Sequence, residues 1–277
     1  MNRTLSALFV LILTSAGITG AAAETASPNL APDLAPDVQK EQRWREQIVD
    51  TLMEGEAVEL QAGDQGFLGL YTEAAGADGE PSKRAAIVVH GIGAHPDWPQ
   101  VVHPLRVGLP EKGISTLSIQ MPVLGNEAKT TDYLPLMDAV APRLDSAIAF
   151  LKEAGAERIA IVAHSLGATM AGDYLATHPG AVDVYVAIGM SGGAPQERLD
   201  NTRTVGRIAI PMLDLYGQND LEAVLQSASA RVKSAVEGGN PSYNQAQIPN
   251  ADHFFDGQDQ ALVDTVNQWL NQNLPEN

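Results

Sequence analysis

Cysteine is missing from all 277 residues of the chain. That absence excludes a disulfide framework, thiolate-bound zinc, iron–sulfur clusters and a thiol nucleophile. It equally excludes a lipid anchor attached through a lipobox cysteine. Basic residues are scarce: 17 Lys and Arg stand against 34 Asp and Glu, a formal charge of −17. Phosphate recognition needs clustered Lys and Arg, so nucleic acid is not an expected partner, and docking on anionic lipid is disfavoured for the same reason. Aromatic residues make up only 5% of the chain, yet 44% is hydrophobic, too much for a disordered polymer. The length suits one large α/β domain, or at most two small ones, and can bury a full core.

What is present begins with an address. Residues 1–23 combine a positive Arg3, an apolar stretch from Leu5 to Ile18 and Ala21-Ala22-Ala23 as an A-x-A cleavage site, the three parts of a secretory signal. The apolar stretch is short for a membrane span, and a lone Arg is not a twin-Arg signal. We therefore expect Sec-type export, cleavage after about Ala23, and a periplasmic or secreted mature protein with no stable membrane insertion. Residues 24–38 are rich in Pro and Ala without periodicity, as in a tether. A polar helix is expected from Lys40 to Leu52, so residues 24–56 form an N-terminal tether and helix, and residues 57–277 the main domain.

From Val58 onward strand-like and helix-like blocks alternate. The expected strands are Val58–Gln61, Phe67–Tyr71, Ala85–Val89, Ser115–Gln120, Arg158–Ala163, Val182–Ile188, Ile208–Leu215 and Asn244–Ile248. Unbroken apolar runs such as Ala85-Ala86-Ile87-Val88-Val89 suit strands covered on both faces. Leu144, Ile148 and Leu151 lie along one face of a helix that Pro142 would start, and Leu262, Val266, Trp269 and Leu270 repeat the pattern near the C-terminus. Two leading strands followed by β-α alternation predict a doubly wound α/β domain with a mostly parallel, eight-stranded sheet.

The strongest chemical signal is Arg158-Ile-Ala-Ile-Val-Ala-His-Ser-Leu-Gly167, a buried strand running through Ala163-His164-Ser165-Leu166-Gly167 directly into a helix. This small-x-Ser-x-Gly turn resembles the nucleophile elbow of the α/β-hydrolase superfamily of serine esterases, lipases and peptidases. Ala163 replaces the usual first glycine, a substitution adding one methyl. The resemblance, which spans about residues 57–273, implies Ser165 as nucleophile. It implies His253 as base, in the loop Ile248-Pro-Asn-Ala-Asp-His253-Phe-Phe after the last strand. The orienting acid falls in Tyr216-Gly217-Gln218-Asn219-Asp220, where Asp220 matches; Asp214 is the competitor inside the strand, and Asp252 adjoins His253 but would point away from its ring. The order Ser165, Asp220, His253 is that of the superfamily.

The strand Ala85–Val89 ends in His90-Gly91-Ile92-Gly93-Ala94-His95-Pro96-Asp97-Trp98-Pro99, which resembles the family's oxyanion loop. Two backbone donors are needed for a tetrahedral intermediate; Ile92 and Leu166 are assigned, with His90 orienting the loop. Gly91, Gly93, Trp98 and His164 are expected to line the substrate site, Trp98 being equally suited to anchor the next helix. His90, His95 and His103 lie close in sequence, but their spacings match no helical ligand pair, so neither metal nor cofactor is expected. No stretch before the next strand is long enough for a cap domain; residues 121–140, with Leu124, Tyr133, Leu134 and Leu136, could instead form a small flap. The usual Asp-x-Pro at the related strand end reads Gln120-Met121-Pro122 here.

Within roughly residues 85–125 the chain also resembles a secreted bacterial branch of the superfamily with no assigned function. The leading expectation is hydrolysis of small-molecule or envelope-derived acyl esters through an acyl-enzyme. Acyl transfer to envelope glycans or lipids would use the same triad. Peptide hydrolysis lacks a selecting propeller or cap, and a non-catalytic binding scaffold need not retain the whole constellation. Arg106, Lys112, Arg198 and Arg203 are too scattered in sequence to define an anion site.

Overall fold

The computed structural model describes residues 35–76 and 79–275; the expected signal segment and the tether as far as residue 34 lie outside the described residues. Leu34–Asn277 forms one compact unit. Its first element is α1 (Val38–Thr51), capped by the Asp37 carboxylate, which accepts from the Lys40 backbone N–H at 2.9 Å. The strands follow as β1 (Glu56–Ala62), β2 (Gln65–Thr72), β3 (Arg84–Val89), β4 (Ser115–Ile119), β5 (Arg158–His164), β6 (Val184–Ile188), β7 (Met212–Gly217) and β8 (Tyr243–Ile248). They order as β1-β2-β4-β3-β5-β6-β7-β8, antiparallel from β1 to β4 through β2 and parallel from there on.

The apolar strand runs explain the layering. Side chains alternate faces along a strand, so Ile87 and Val89 of β3 enter one core layer while Ala86 and Val88 enter the other. Leu144, Ile148 and Leu151 of α3 (Val140–Glu153) and much of α4 (Leu166–Thr177) cover the first face. Leu105 of α2 (Val102–Gly108) and Leu262, Val266 and Leu270 of α7 (Asp259–Asn273) cover the second. The doubly wound, mostly parallel sheet is thus as expected. Each central strand sits between two helix layers, and each buried Ile, Val or Leu contributes about 1.5–3 kcal/mol.

Two expectations need correction. The strand expected from Ile208 begins only at Met212, because Pro211 lacks the N–H a central ladder requires; Ile208 is buried just after the short helix α5 (Asn201–Val205) instead. Residues 121–140 meet the Ser165 cleft at Thr130, but their apolar side chains are built into the core and do not hang over it as a flap. Leu124, Tyr133 and Leu136 are buried in the first core layer, and the Leu124 N–H donates to the Tyr133 hydroxyl at 3.1 Å. Between β6 and β7 stand only a 3-10 turn (Glu197–Leu199) and α5, with no inserted cap.

Candidate active site

β5 ends at His164 and α4 starts at Leu166, leaving Ser165 alone to turn the chain. Its φ of 55° and ψ of −121° lie where side-chain-bearing residues are strained. The turn closes because its neighbours are small. A Cβ on Gly167 would come within 2.3 Å of the His90 carbonyl, and one on Gly91 within 3.1 Å of Ser165 Cβ. The Ser165 N–H donates to the Ile188 carbonyl at 2.8 Å, tying the elbow to β6.

The structure brings the three expected polar residues into one line. His253 Nε2 lies 3.0 Å from Ser165 Oγ, and His253 Nδ1 lies 2.6 Å from Asp220 Oδ1. The carboxylate selects the tautomer: Nδ1–H donates to Asp220, so the Nε2 lone pair faces the serine hydroxyl. Asp220 also accepts N–H bonds from Leu221 (2.7 Å) and Gly217 (3.2 Å). Burial alone would raise its carboxyl; the hydrogen bond and charge of His253, together with those two N–H groups, outweigh burial and hold it below the ordinary carboxylate value.

The competing carboxylates are occupied elsewhere. Asp214 is fully buried on β7, where Arg231 of α6 (Glu222–Glu237) donates at 2.7 and 3.2 Å, Tyr243 at 2.6 Å and Gln245 at 2.9 Å. Asp252 accepts from the N–H groups of Phe254 and Asp256, which closes its own loop.

Leu166 is the first residue of α4, so its N–H has no carbonyl partner within the helix. Neither it nor the Ile92 N–H donates to a protein acceptor among the described residues. The loop carrying Ile92 is held by His90, whose Nδ1–H donates to the Gly91 carbonyl at 2.9 Å. Its Nε2 accepts from the Met121 N–H (2.9 Å) and the Gln120 amide (3.0 Å). Full burial presses its pKa down to about 3, so the ring stays neutral. Gly93 has φ +68°, a conformation that favours glycine.

Gly91, Ile92, Gly93, Trp98, Ser165, Leu166, His164 and His253 all border an open cleft of about 470 Å³. Ile92, Leu221 and Phe254 at its border are exposed apolar side chains. Trp98 serves both expected ends, lining the cleft and packing against the second core layer. His164 does more than line it. Its Nε2–H donates to the His253 carbonyl at 3.0 Å, and its ring lies 4.9 Å from that of His253. Burial lowers its pKa to about 4.

The three histidines clustered in sequence do not share one site: His90 faces Gln120 and Met121, whereas His95 Nδ1 accepts from the Asp97 N–H and His103 shares the Asp97 carboxylate with Arg106. Among the described residues no group of three or more His, Asp or Glu is placed to hold a metal ion.

Sequence reasoning passed over Gly189, at the end of β6. Its φ is +61°, and a Cβ there would stand 2.9 Å from His253 Cε1. The positive φ has no local sequence signature beyond the glycine itself. A second omission is the partnership of α1 with the site. Glu41 receives Arg143 at 3.0 and 3.2 Å, and Arg143 donates in turn to the Gln120 carbonyl at 2.9 Å.

Comparison with known proteins bears on the family and the fold. The sequence matches the family described as "Protein of unknown function (DUF3530)" over residues 4–134 and 125–272. The chain belongs to this family. No curated protein matches it. Among solved structures, a dienelactone hydrolase from Anabaena variabilis is similar at TM-score 0.60 and 20% identity, covering 80% of this chain and 98% of its own. An esterase from Pyrococcus furiosus is similar at TM-score 0.61 and 16% identity, covering 82% and 94% respectively. A protein from Xanthomonas campestris, titled a serine hydrolase without lid, is similar at 0.60 and 19%, covering 81% and 97%. The DUF3530 chain thus has the α/β-hydrolase fold, with no large cap.

Proposed function

We propose that the DUF3530 chain is an exported serine hydrolase that cleaves carboxylic esters through an acyl-enzyme. The observation carrying this reading is the unbroken line from Ser165 Oγ through His253 to Asp220, with the serine raised on a strained turn. Ester carbonyl carbon bonds to Ser165 Oγ while His253 Nε2 takes the hydroxyl proton. The oxyanion so formed is held by the N–H groups of Ile92 and Leu166, aided by the positive end of α4. The carbonyl–alkoxy bond then breaks, and the alcohol leaves with the proton held by His253. Water repeats the sequence: it loses a proton to His253 and bonds to the acyl carbon, then the acyl–Oγ bond breaks, the acid leaves and His253 returns the proton to Ser165 Oγ. Base catalysis of this kind contributes about 10²–10⁴-fold, and each oxyanion donor about 10²–10³-fold.

The similar structures titled esterase or dienelactone hydrolase support ester chemistry, and the cleft's apolar border of Ile92, Leu221 and Phe254 suits an acyl group. The signal-like residues 1–23 support export to the periplasm or beyond. Fluorophosphonate labelling of the mature protein beside Ser165→Ala tests the mechanism. Labelling and hydrolysis of p-nitrophenyl acetate that both require Ser165 are expected; hydrolysis surviving in Ser165→Ala would refute it.

A further inference from the structure

Helix α1 precedes every strand of the sheet, so the α/β body does not need it to close. It is nevertheless fastened firmly, and by charge. Besides the Glu41–Arg143 pair, Lys40 Nζ donates to the Leu124 carbonyl at 2.9 Å and to Asn126 Oδ1 at 2.8 Å. Ion pairs taken out of water contribute little net stability, but they demand one geometry. That geometry sets Trp44 beside the loop that follows β3. The rings of Trp44 and His95 lie 5.3 Å apart, and His95 and Trp98 another 5.3 Å.

Between the helix and that loop lies a shallow recess of about 490 Å³, bordered by Lys40, Arg43, Trp44, Gln47, Trp98 and Asn126. Gly93 and Trp98 border both this recess and the cleft of Ser165, so the two adjoin. Their chemistries differ. The cleft offers Ile92, Leu166, Leu221, Val224 and Phe254, whereas the recess offers aromatic rings among amides and cations.

We propose that the recess is the subsite for the alcohol half of the ester, and that this alcohol is a sugar residue. The inference rests on the esterase reading above. Lys40 Nζ stands 4.7 Å over the Trp44 ring and Trp44 packs on Ile48, Leu68 and Leu70, so a sugar ring would set its C–H groups against Trp98 and the open edge of Trp44 while its hydroxyls meet Arg43, Gln47 and the Asn126 amide. Two other occupants fit less well. A phosphate or carboxylate would meet Asp37 on the recess border, and Lys40 already donates to Leu124 and Asn126. An aryl alcohol would stack, but would make no hydrogen bonds to Arg43, Gln47 or Asn126, which border the recess. On this assignment the acyl group occupies the apolar cleft, and the sugar oxygen departs as a hydroxyl carrying the proton from His253.

The test uses the full mature chain and substrates that share one acyl group: p-nitrophenyl acetate, ethyl acetate, an acetylated glucose and an acetylated xylo-oligosaccharide. The sugar esters should exceed ethyl acetate in kcat/KM by at least tenfold. Preference for the oligosaccharide would mark a glycan as the source, and equal rates a free sugar. In Trp44→Ala the ratio of kcat/KM on the sugar ester to that on p-nitrophenyl acetate should fall at least tenfold, mostly through KM, and Trp44→Phe should restore it to within threefold. Arg43→Ala and Gln47→Ala change exposed side chains, so folding is not at stake; each should lower the ratio about threefold or more. Sugar esters cleaved no faster than ethyl acetate, or ratios unmoved in all these variants, would overturn the subsite while leaving the esterase standing. A protein that neither cleaves p-nitrophenyl acetate nor labels at Ser165 would remove the esterase reading, and the subsite with it.

Discussion

Exchanging each of two buried carboxylates for an amide should separate catalysis from stability. Asp220→Asn replaces the carboxylate that receives His253 Nδ1–H at 2.6 Å. The amide can present its N–H₂ to the ring, which favours the tautomer with its proton on Nε2, where the lone pair is needed. Comparable replacements in serine hydrolases cost about 10⁴-fold in kcat, or about 5–6 kcal/mol of transition-state stabilisation. Stability should change little, because the amide oxygen keeps one of the backbone donors from Gly217 and Leu221. Asp214→Asn does the reverse. It leaves the Arg231 guanidinium fully buried without its charge partner, and breaking such a pair from one side costs about 3–5 kcal/mol. For a domain of this size that is a fall in Tm of about 6–20 °C. Urea unfolding followed by tryptophan fluorescence measures stability, and p-nitrophenyl acetate turnover per folded molecule measures catalysis. Asp220→Asn should lose activity with its midpoint nearly intact, and Asp214→Asn should lose midpoint with its turnover retained. Turnover above a tenth of wild type in Asp220→Asn, or a stable but inactive Asp214→Asn, would move the acid to β7 and refute the assignment.

Replacing Ser165 by Gly removes a side chain held at φ 55°; stability should rise by about 0.5–1 kcal/mol in urea melts while hydrolysis is lost. Gly189→Ala would push a methyl to within 2.9 Å of the His253 ring at a positive φ, and kcat should fall about 10²-fold or more with the fold retained; a fully active variant would show that the ring does not need that space. Acid should destabilise the protein through its buried histidines. Folded His90 and His164 titrate near 3 and 4 but near 6.5 once unfolded, so between those values the unfolded chain binds more protons and stability falls as pH falls. Each contributes up to about 1.4 kcal/mol per pH unit. Urea midpoints at pH 6.5 and 5.0 should therefore converge in His164→Gln relative to wild type, and an unchanged pH slope would refute the neutral, buried state of His164.

The sheet and the alignment of Ser165, His253 and Asp220 were legible because both leave local traces. An apolar run such as Ile159-Ala160-Ile161-Val162 has few alternatives to a strand covered on both faces, and Ser165 between that strand and a helix has few alternatives to an elbow. The Pro211 boundary was also written in the chain, since proline cannot donate to a ladder, and was outweighed only by the apolar residues before it. Partnerships between distant charged residues leave no such trace. Glu41 and Arg143 are 102 positions apart, and each alone reads as a solvated helix surface. Arg231 with Asp214, and Arg106 with Asp97, are likewise fully buried cations that composition would place outside. Residues 121–140 misled because a segment with scattered apolar side chains can cover either a cleft or a core; the layer that decides draws residues distant in sequence, from Phe67 and Tyr71 of β2 to Met170 and Tyr174 of α4.

Those long-range charges also account for Gln120, the position where the resemblance expects a carboxylate. Gln120 Nε2 donates to His90 Nε2, which requires the His90 proton to sit on Nδ1, where it holds the Gly91 carbonyl next to the proposed donor Ile92. A carboxylate at 120 could not donate there, and could pair with the ring only by placing a proton on Nε2. A carboxylate nevertheless stands behind this loop: it is Glu41 of α1, which neutralises Arg143 while Arg143 grips the Gln120 backbone. Burial raises the Glu41 carboxyl, and Arg143 opposes that rise. The N-terminal helix therefore does two things for one site. It borders the recess beside Trp98, and through Arg143 it holds the Gln120–Met121 segment on which the proposed oxyanion loop leans. A helix that adds no strand to the sheet is thereby bound to the part of the body where the chemistry is proposed to occur.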